Sequence, residues 1–343
     1  MLYGHGDNGY TYGQGIIADF SSNVWYGGEP AGLKEHLFHH WKRVNRYPEV
    51  LAESLTERVS RHHGLHGENI LINNGSIESI YLIAQGFKYR RSAIVTPSFA
   101  EYEDACRMHG HETSFLDWGD LAALMDGSPG PEKLPADLLW IANPNNPTGA
   151  VFTGLEELID HNPQTIFVVD EAFIDFTDSI QTAIPLLARF PNLVILRSLT
   201  KAFAIPGLRL GYIAAGKDIV EKLKALKLPW SVNTMALEAG NFIIEHYAKI
   251  RPPLAQLLQD KTAFVRQLQE VPVKTYASHT HFFLCETNYG RAAELQQYLL
   301  YNFGLSIRNA DNFRGLGPKH FRLATLSPDR NQLLITALKG WRQ

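Results

Sequence analysis

Short, continuous runs of apolar residues recur between about residues 31 and 215, and helical patterns separate them. Continuous apolar runs are typical of strands that are buried on both faces of a parallel sheet. Strands that alternate with helices predict an α/β fold with a mainly parallel, doubly wound sheet in a large domain. The predicted strands contain residues 70–72, 93–95, 138–141, 166–169, 193–196 and 210–213.

The pattern changes after Tyr212. Longer helical patterns and then short strands predict a smaller C-terminal α+β domain. We place an N-terminal arm at 1–30, the large domain at 31–230 and the C-terminal domain at 231–343. The predicted elements of the C-terminal part are helices over 218–226, 232–247 and 253–270, strands over 282–285, 305–308 and 321–323, and a closing helix from Pro328.

Composition narrows the class of protein. The 343 residues are 45% hydrophobic and 20% charged, as in soluble globular proteins, and a net charge of -3 gives no reason to expect nucleic acid or an anionic membrane as a partner. The two cysteines, Cys106 and Cys285, exclude a disulfide scaffold and fit a reducing cytoplasm. We expect neither a signal peptide nor a membrane span, because no apolar run approaches the ~20 residues that a span needs.

Polar clusters follow five of the predicted strands, at 74–76, 97–99, 143–149, 170 and 198–201. The carboxyl ends of parallel strands meet at one edge of a sheet, where ligands of such sheets bind. We therefore expect these clusters to form one site.

Lys201 is the most informative of these residues. Ser198 and Thr200 precede it and Arg209 follows, so it resembles an amine placed to form a Schiff base with an aldehyde cofactor whose phosphate the neighbours hold. A lone lysine would instead be an ordinary surface group.

Asp170 and the 74–76 segment fit the same hypothesis. A carboxylate directly after a buried strand needs a cation or donors, and in such an enzyme it keeps a pyridine nitrogen protonated. The alternative is a simple helix or strand cap. Gly75 and Ser76 begin a predicted helix, whose free N–H groups can bind phosphate.

Further candidates are single residues with plain alternatives. Asn146, in the rigid turn 143–149, could donate a hydrogen bond to the phenolic oxygen on the cofactor's pyridine ring, or could belong to a plain loop. Phe99 could stack on that ring, although an isolated aromatic residue more often lies in the hydrophobic core. Arg322 and Arg308 lie in predicted strands and suit an anionic substrate, or are surface residues.

Metal catalysis is not expected from the histidine pairs that stand out. The pairs at 39/40, 62/63, 109/111 and 279/281 lack the i,i+4 helical spacing with an acid that would make them specific.

Together, the segments 143–149, 170–173, 198–201 and 207–212 resemble the motif set of class I/II aminotransferase-fold enzymes, which use pyridoxal 5′-phosphate (PLP) and have fold type I. The resemblance covers nearly the whole chain. It implies that Lys201 is the Schiff-base lysine, that Asp170 is the pyridinium partner, and that Arg322 holds a substrate anion. It further implies the following cofactor contacts: Asn146 with the ring oxygen, Phe99 with the ring, and Gly75, Ser76, Ser198, Thr200 and Arg209 with the phosphate.

The resemblance also implies a homodimer. Tyr47, in the sequence Arg-Tyr-Pro, corresponds to a tyrosine that reaches the phosphate of the neighbouring subunit's cofactor.

Two branches of the family fit best. One branch is the threonine-phosphate decarboxylases of cobalamin synthesis, which the chain resembles in the sequence segments 4–9, 19–23, 96–102, 173–176, 204–209 and 229–233. The alternative branch is the histidinol-phosphate aminotransferases. Phe173 stands where aminotransferases of this fold usually have a tyrosine that bonds the ring oxygen, and a phenyl ring cannot donate. The change from tyrosine to phenylalanine could equally be a substitution that affects only packing, because one hydrogen bond contributes only ~1 kcal/mol net.

Two segments depart from the decarboxylase pattern: 24–27 lacks an Asn-Pro pair, and 324–326 lacks a second arginine. A PLP-binding regulator without turnover is the remaining alternative. The absence of a recognisable DNA-reading module argues against it.

Overall fold

The computed structural model describes residues 15–123 and 134–342. The sequence segment 4–9 and residues 1–14 of the predicted arm therefore lie outside the described residues. The helices are α1 (Leu33–His39), α2 (Glu53–His62), α3 (Gly75–Gly86), α4 (Glu101–Met108), α5 (Trp118–Ala123), α6 (Leu155–His161), α7 (Lys217–Lys224), α8 (Thr234–Ile250), α9 (Leu254–Leu268), α10 (Ala292–Phe303) and α11 (Pro328–Lys339). The strands are β1 (Ala18–Asp19), β2 (Ile70–Asn73), β3 (Arg91–Thr96), β4 (Glu112–Asp117), β5 (Leu138–Ala142), β6 (Ile166–Asp170), β7 (Leu193–Ser198), β8 (Gly211–Ala215), β9 (Val273–Thr275), β10 (Phe282–Thr287), β11 (Leu305–Ser306), β12 (Arg308–Asn309) and β13 (His320–Ala324).

The large sheet has the order β2-β8-β7-β6-β5-β3-β4 within the described residues. β8 is antiparallel to both of its neighbours, β2 and β7. The other pairs, from β7 across to β4, are parallel. The prediction of a mainly parallel sheet is therefore confirmed.

Both faces of this sheet are buried, which explains why its strands are continuous apolar runs. In β5, Leu139 and Ile141 pack into one core cluster, whereas Leu138, Trp140 and Ala142 pack into another. Helices cover the two clusters: α8 contributes to the first, and α3 and α7 contribute to the second. The predicted doubly wound α/β fold follows from this alternation.

A second, antiparallel sheet has the order β12-β13-β10-β9. Helices α9, α10 and α11 pack on it through a separate core cluster. This arrangement is the smaller α+β unit that the sequence predicts. The bounds of the arm and of the two domains stay a prediction.

Helix α8 (Thr234–Ile250) begins where the Asn233 side chain accepts a hydrogen bond from the backbone nitrogen of Ala236 at 2.9 Å. Its buried residues Ala236 and Ile243 belong to the core of the large sheet. The helix therefore connects the second sheet to the first while packing on the first.

The predicted strand at 305–308 is two strands. β11 (Leu305–Ser306) pairs with β1 in parallel, whereas β12 (Arg308–Asn309) pairs with β13. Ile307 lies fully buried between them. The chain changes sheets there, so one apolar pattern covers two short strands with different partners.

Within the described residues, no helix combines the length and apolar character that crossing a membrane requires.

Candidate active site

A cavity of about 530 Å³ lies at the carboxyl edge of the large sheet, between it and the second sheet. We call the lining residues Ser76, Phe99, Asp170, Thr200, Lys201 and Arg209 the sheet wall. We call Arg308, Asn312, Phe313 and Arg322 the C-terminal wall. Asn146 and Phe173 also line the cavity. The structure thus brings together ten of the residues that the sequence singles out.

Lys201 follows β7 (Leu193–Ser198) by three residues and is half-buried. Its carbonyl oxygen accepts a hydrogen bond from the backbone nitrogen of Trp25 at 2.9 Å. The contact ties the turn that carries Lys201 to the N-terminal segment. Burial raises the pKa of Asp170, and the positive charge of Lys201 opposes that rise, so the ammonium and the carboxyl are electrostatic neighbours.

Asp170 ends β6 (Ile166–Asp170), and its side chain is buried. One oxygen, Oδ2, accepts a hydrogen bond from the Tyr102 hydroxyl at 2.7 Å, and Oδ1 accepts one from the backbone nitrogen of Ala172 at 2.8 Å. Burial raises the pKa of Asp170, whereas Tyr102, Ala172 and Lys201 oppose the rise. A buried carboxyl of this kind gains from a cationic N–H partner.

The predicted phosphate-binding residues surround the start of α3. The side chains of Ser198 and Thr200 are hydrogen-bonded to each other, Oγ to Oγ1, at 2.9 Å. Gly75 has φ +79°, and a Cβ there would lie 2.7 Å from Nη2 of Arg209, so only glycine lets the guanidinium approach. Arg209 itself adopts a left-handed backbone, with φ 59°, which is a strained conformation typical of functional sites.

The N-terminus of α3 is held by contacts that local sequence patterns do not predict. The Glu78 side chain accepts a hydrogen bond from the backbone nitrogen of Asn74. The Lys227 ammonium lies 3.0 Å from both oxygens of Glu78 and 2.6 Å from the Ser231 hydroxyl. Lys227 and Glu78 thereby fix the turn that leads into Gly75.

Arg322 and Arg308 are cross-strand partners in β13 and β12. Nη1 of Arg322 donates to Oδ1 of Asn146 at 2.5 Å, and its Nη2 donates to the carbonyl of Ser21 at 2.5 Å. Burial and the charge of Arg308 lower the pKa of Arg322 to about 9. Like charges placed opposite each other are destabilising, so an anion between them would be stabilising.

Phe99 and Phe173 lie on the cavity as predicted. The Phe99 ring meets the Tyr102 ring edge-on, with centroids 6.0 Å apart. The Phe173 ring meets that of Phe282 edge-on, with centroids 4.8 Å apart.

Tyr47 does not line the cavity. Its side chain is 84% exposed, and its ring lies 5.2 Å from that of Trp230. A role at the cofactor phosphate within the same chain is therefore excluded by position, and the predicted role across a dimer stays a prediction.

Several lining residues were missed by sequence reasoning. Tyr81 donates from its hydroxyl to Oε2 of Glu101 at 2.7 Å. Arg308 donates from Nη2 to Oδ1 of Asn312 at 3.0 Å. The one sequence signal that could have identified Glu101 and Tyr102 as lining residues is the segment 96–102, in which they closely follow Phe99. The remaining missed residues are Ser21, Ser22, Asn23, Ile77, Ala100, Ala142, Ala172 and Phe313.

Residues 17–338 match the family described as aminotransferase class I and II. The chain belongs to this family. The family prediction made from the motifs is therefore confirmed, as is the fold class.

The relatives within the family include both branches named from the motifs. A threonine-phosphate decarboxylase from Salmonella typhimurium is 34% identical, with 94% of this chain and 91% of that protein covered. A histidinol-phosphate aminotransferase from Caldanaerobacter subterraneus is 30% identical, with 86% and 84% covered. The crystal structure of L-threonine-O-3-phosphate decarboxylase from Porphyromonas gingivalis has a TM-score of 0.89 and 36% identity, and the match covers 94% of this chain and 98% of that one.

Proposed function

We propose that this chain is a PLP-dependent carboxy-lyase that converts L-threonine O-3-phosphate to aminopropanol phosphate, a step of cobalamin synthesis. In this reaction the bond between Cα and the carboxylate breaks, carbon dioxide leaves, and a proton takes its place on Cα. The similarity to two decarboxylases, at 34% and 36% identity, supports the reaction.

The observation that carries the proposal is the arginine pair on the C-terminal wall. Arg308 and Arg322 are cross-strand neighbours, and both line the same cavity as Lys201 and Asp170. Threonine phosphate carries a carboxylate and a phosphate, and arginine binds either group through two parallel hydrogen bonds. Two guanidinium groups on one wall therefore suit a substrate with two anionic groups.

The residues present fit PLP. The buried Asp170 has its pKa raised by burial and gains from a protonated pyridine nitrogen. Ser76, Thr200 and Arg209 offer donors to a phosphate beside the start of α3, and Gly75 leaves room for the guanidinium. Lys201 supplies the amine that attaches the aldehyde, Asn146 the contact to the ring oxygen, and Phe99 the stacking face.

When bound, PLP supplies an electron sink that stabilises the negative charge left on Cα when a bond to that carbon breaks. The chain's own residues choose the bond. Arg322, held by Asn146 and the Ser21 carbonyl, orients the substrate carboxylate, while Arg308 binds the phosphate. Lys201 Nζ delivers the proton to Cα after the carboxylate leaves.

Histidinol-phosphate aminotransferase is the second candidate, because a relative of that name is 30% identical over 86% of the chain. In that reaction Lys201 would remove the Cα proton instead. Phe173, which cannot donate to the ring oxygen, fits this candidate less well.

A direct assay separates the candidates. Purified holoenzyme is incubated with O-phospho-L-threonine, and separately with histidinol phosphate and 2-oxoglutarate. Carbon dioxide released in a one-to-one ratio to aminopropanol phosphate supports the proposal. Amino transfer without carbon dioxide release would reject it in favour of the aminotransferase. No turnover of a broad amino-acid panel, with PLP bound, would reject both in favour of a PLP-binding regulator.

We further propose a homodimer in which Tyr47 reaches the partner's cofactor. Tyr47, which is 84% exposed, and six further exposed apolar side chains lie in the segments 38–50 and 228–230, which are joined by a hydrogen bond of 3.0 Å from the Trp230 nitrogen to the Val50 carbonyl. Such exposure is typical of a protein interface. The exposed apolar residues are Phe38, Trp41, Val44, Tyr47, Val50, Leu228 and Trp230.

Mixing two inactive variants tests the dimer. If Tyr47 acts across the interface, Tyr47→Ala and Lys201→Ala dimers unfolded and refolded together give mixed dimers with one complete site, and activity returns. Activity that stays absent while mixed dimers form would contradict the shared site.

The cytoplasmic location expected from the cysteine content stays part of this proposal.

A further inference from the structure

A cluster of metal-ligating side chains lies outside the cavity, between α1 and α8. His36 lies on α1, His40 follows the end of that helix, and Glu238 lies on α8. Residues four apart on a helix share a face, so both imidazoles lie on the same side. This pair has the i,i+4 spacing that the histidine pairs singled out in the sequence lack, and the acid comes from another helix.

The distances within this cluster are close to those of a metal site. Nε2 of His36 lies 3.5 Å from Oε2 of Glu238, and Nδ1 of His40 lies 3.9 Å from the same oxygen. The ligand atoms of all three residues lie within 4.8 Å of one another. Two ligands of a tetrahedral zinc ion, each about 2.0–2.1 Å from the metal, lie about 3.3 Å apart. Small side-chain rotations would therefore suffice for coordination.

His36 Nε2 needs a partner that the described residues do not provide. The nitrogen is buried, and 3.5 Å to Glu238 is longer than a normal hydrogen bond. A buried imidazole nitrogen without a hydrogen-bond partner is available to a metal ion, for which imidazole is the commonest protein ligand.

Arg43 orients the carboxylate of this cluster. Its guanidinium donates to Oε1 of Glu238, which leaves Oε2 for the two histidines. Ligating carboxylates are usually held in this way by an outer donor. The arginine's positive charge opposes a dication, and His40 Nδ1 must exchange its 2.9 Å contact with the His36 carbonyl for the metal. Both effects weaken the binding that the three ligands would otherwise provide.

We propose that His36, His40 and Glu238 bind one divalent transition metal ion, of which Zn²⁺ is the probe, and that the ion links α1 to α8. Two imidazoles and one carboxylate select Zn²⁺ or Co²⁺ over Mg²⁺ or Ca²⁺. The histidine side chains are about a quarter exposed, so a water molecule can complete the coordination.

Calorimetric titration of the holoenzyme with Zn²⁺ in chelator-free buffer tests this. We expect one equivalent per chain, and binding at least about tenfold weaker in each of His36→Gln, His40→Gln and Glu238→Gln. His39→Gln, in the same helix, is the matched control and should bind as the unchanged chain does. Absence of binding, binding that survives the three substitutions, or an equal loss in His39→Gln would overturn the proposal.

Co²⁺ provides a second readout that needs no variant. Added to the unchanged holoenzyme, it should give the intense visible absorption of four-coordinate cobalt, which Zn²⁺ removes and Mg²⁺ does not. The weak absorption of six-coordinate cobalt, or displacement by Mg²⁺ at equal concentration, would overturn the proposal. Neither experiment depends on the reaction that the cavity catalyses.

Discussion

The sheet wall and the C-terminal wall of the cavity are built in different ways. Asp170, Thr200 and Lys201 lie at or just after strand ends of the large sheet, whereas Arg308 and Arg322 lie within short strands of the second sheet. Asp170 accepts hydrogen bonds from Ala172, two residues after it, and from Tyr102 on α4. Arg322 donates to Asn146 and to the Ser21 carbonyl, which are both distant from it in sequence. In line with the proposed function, we propose that the sheet wall serves cofactor chemistry and that the C-terminal wall binds the substrate.

A second difference is the support behind each wall. Arg197 precedes Ser198 at the end of β7, and its buried side chain lies 3.4 Å from Glu171, which follows Asp170, and 3.2 Å from Asp175. Glu171 also accepts from the backbone nitrogen of Ala183 at 2.6 Å. This buried network joins the ends of β6 and β7. Nε of Arg197 has no hydrogen-bond partner among the described residues, so the network is not fully paired, but it links the two strand ends that carry Asp170 and Ser198.

The largest effect is expected on the sheet wall. Asp170→Asn keeps an oxygen that can accept from Tyr102 but removes the negative charge, so the ring nitrogen is no longer held protonated. We expect kcat for carbon dioxide release to fall at least about 100-fold, with PLP still bound in the absorption spectrum. Asp218→Asn, at an exposed position, is the control. A kcat within a factor of about two of the unchanged enzyme would break the comparison.

Arg322→Gln tests the C-terminal wall. Loss of a charged hydrogen-bond donor to the substrate should raise KM by roughly 10- to 100-fold while PLP affinity is unchanged. Arg330→Gln, at an exposed position, is the control. If PLP affinity falls and KM stays constant, Arg322 belongs functionally to the sheet wall, and the division between the walls is wrong.

Tyr102→Phe sharpens the account of Asp170. The Tyr102 hydroxyl lowers the pKa of Asp170, so its removal should raise that pKa and move the acid limb of the kcat profile to higher pH. We expect kcat at neutral pH to fall by about tenfold, as for one hydrogen bond to a charged group. Tyr301→Phe, on an exposed tyrosine, should leave the profile in place. An acid limb that stays put, or moves to lower pH, would contradict this role.

The last prediction concerns acid stability rather than catalysis, and it involves the buried His281. Burial and the charge of Arg322 lower the pKa of His281 to about 3, below its value of about 6.5 in the unfolded chain. The folded state binds the proton more weakly, so this contribution to stability is fully present above pH 6.5 and is lost as the pH falls from 6.5 towards 3.

His281→Gln should therefore flatten the decline of the unfolding free energy over that pH range by a few kcal/mol, or ~1.4 kcal/mol for each pH unit. Urea titrations at several pH values measure it, and His161→Gln, at an exposed position, is the control. An unchanged slope would show that His281 does not titrate between these limits.

The sequence predicted the sheet wall better than the C-terminal wall for a physical reason. Strands buried on both faces are continuous apolar runs, and the residues that follow them must meet at one edge. The same logic failed for β4 (Glu112–Asp117), an edge strand whose residues are all partly exposed, so its run is not continuously apolar. β9 (Val273–Thr275) is only three residues long and was missed as well.

Contacts between distant segments could not be predicted from local pattern. The sequence of residues 21–23 does not predict that the Ser21 carbonyl accepts a hydrogen bond from Arg322, because this contact depends on how the two sheets pack. Tyr102 was read only as part of a motif, and its bond to Asp170 requires α4 and β6 to be adjacent in space. Lys227 likewise reaches Glu78 only through the packing of the loop after α7 on α3.

The most direct test of the central claim maps where the cofactor attaches. The protein is saturated with PLP, the adduct is fixed with borohydride, and the modified peptide is identified by mass spectrometry. The account predicts one pyridoxyl group per chain, on Lys201. A label on another lysine, such as the buried Lys227, or a protein that takes up no PLP, would contradict it.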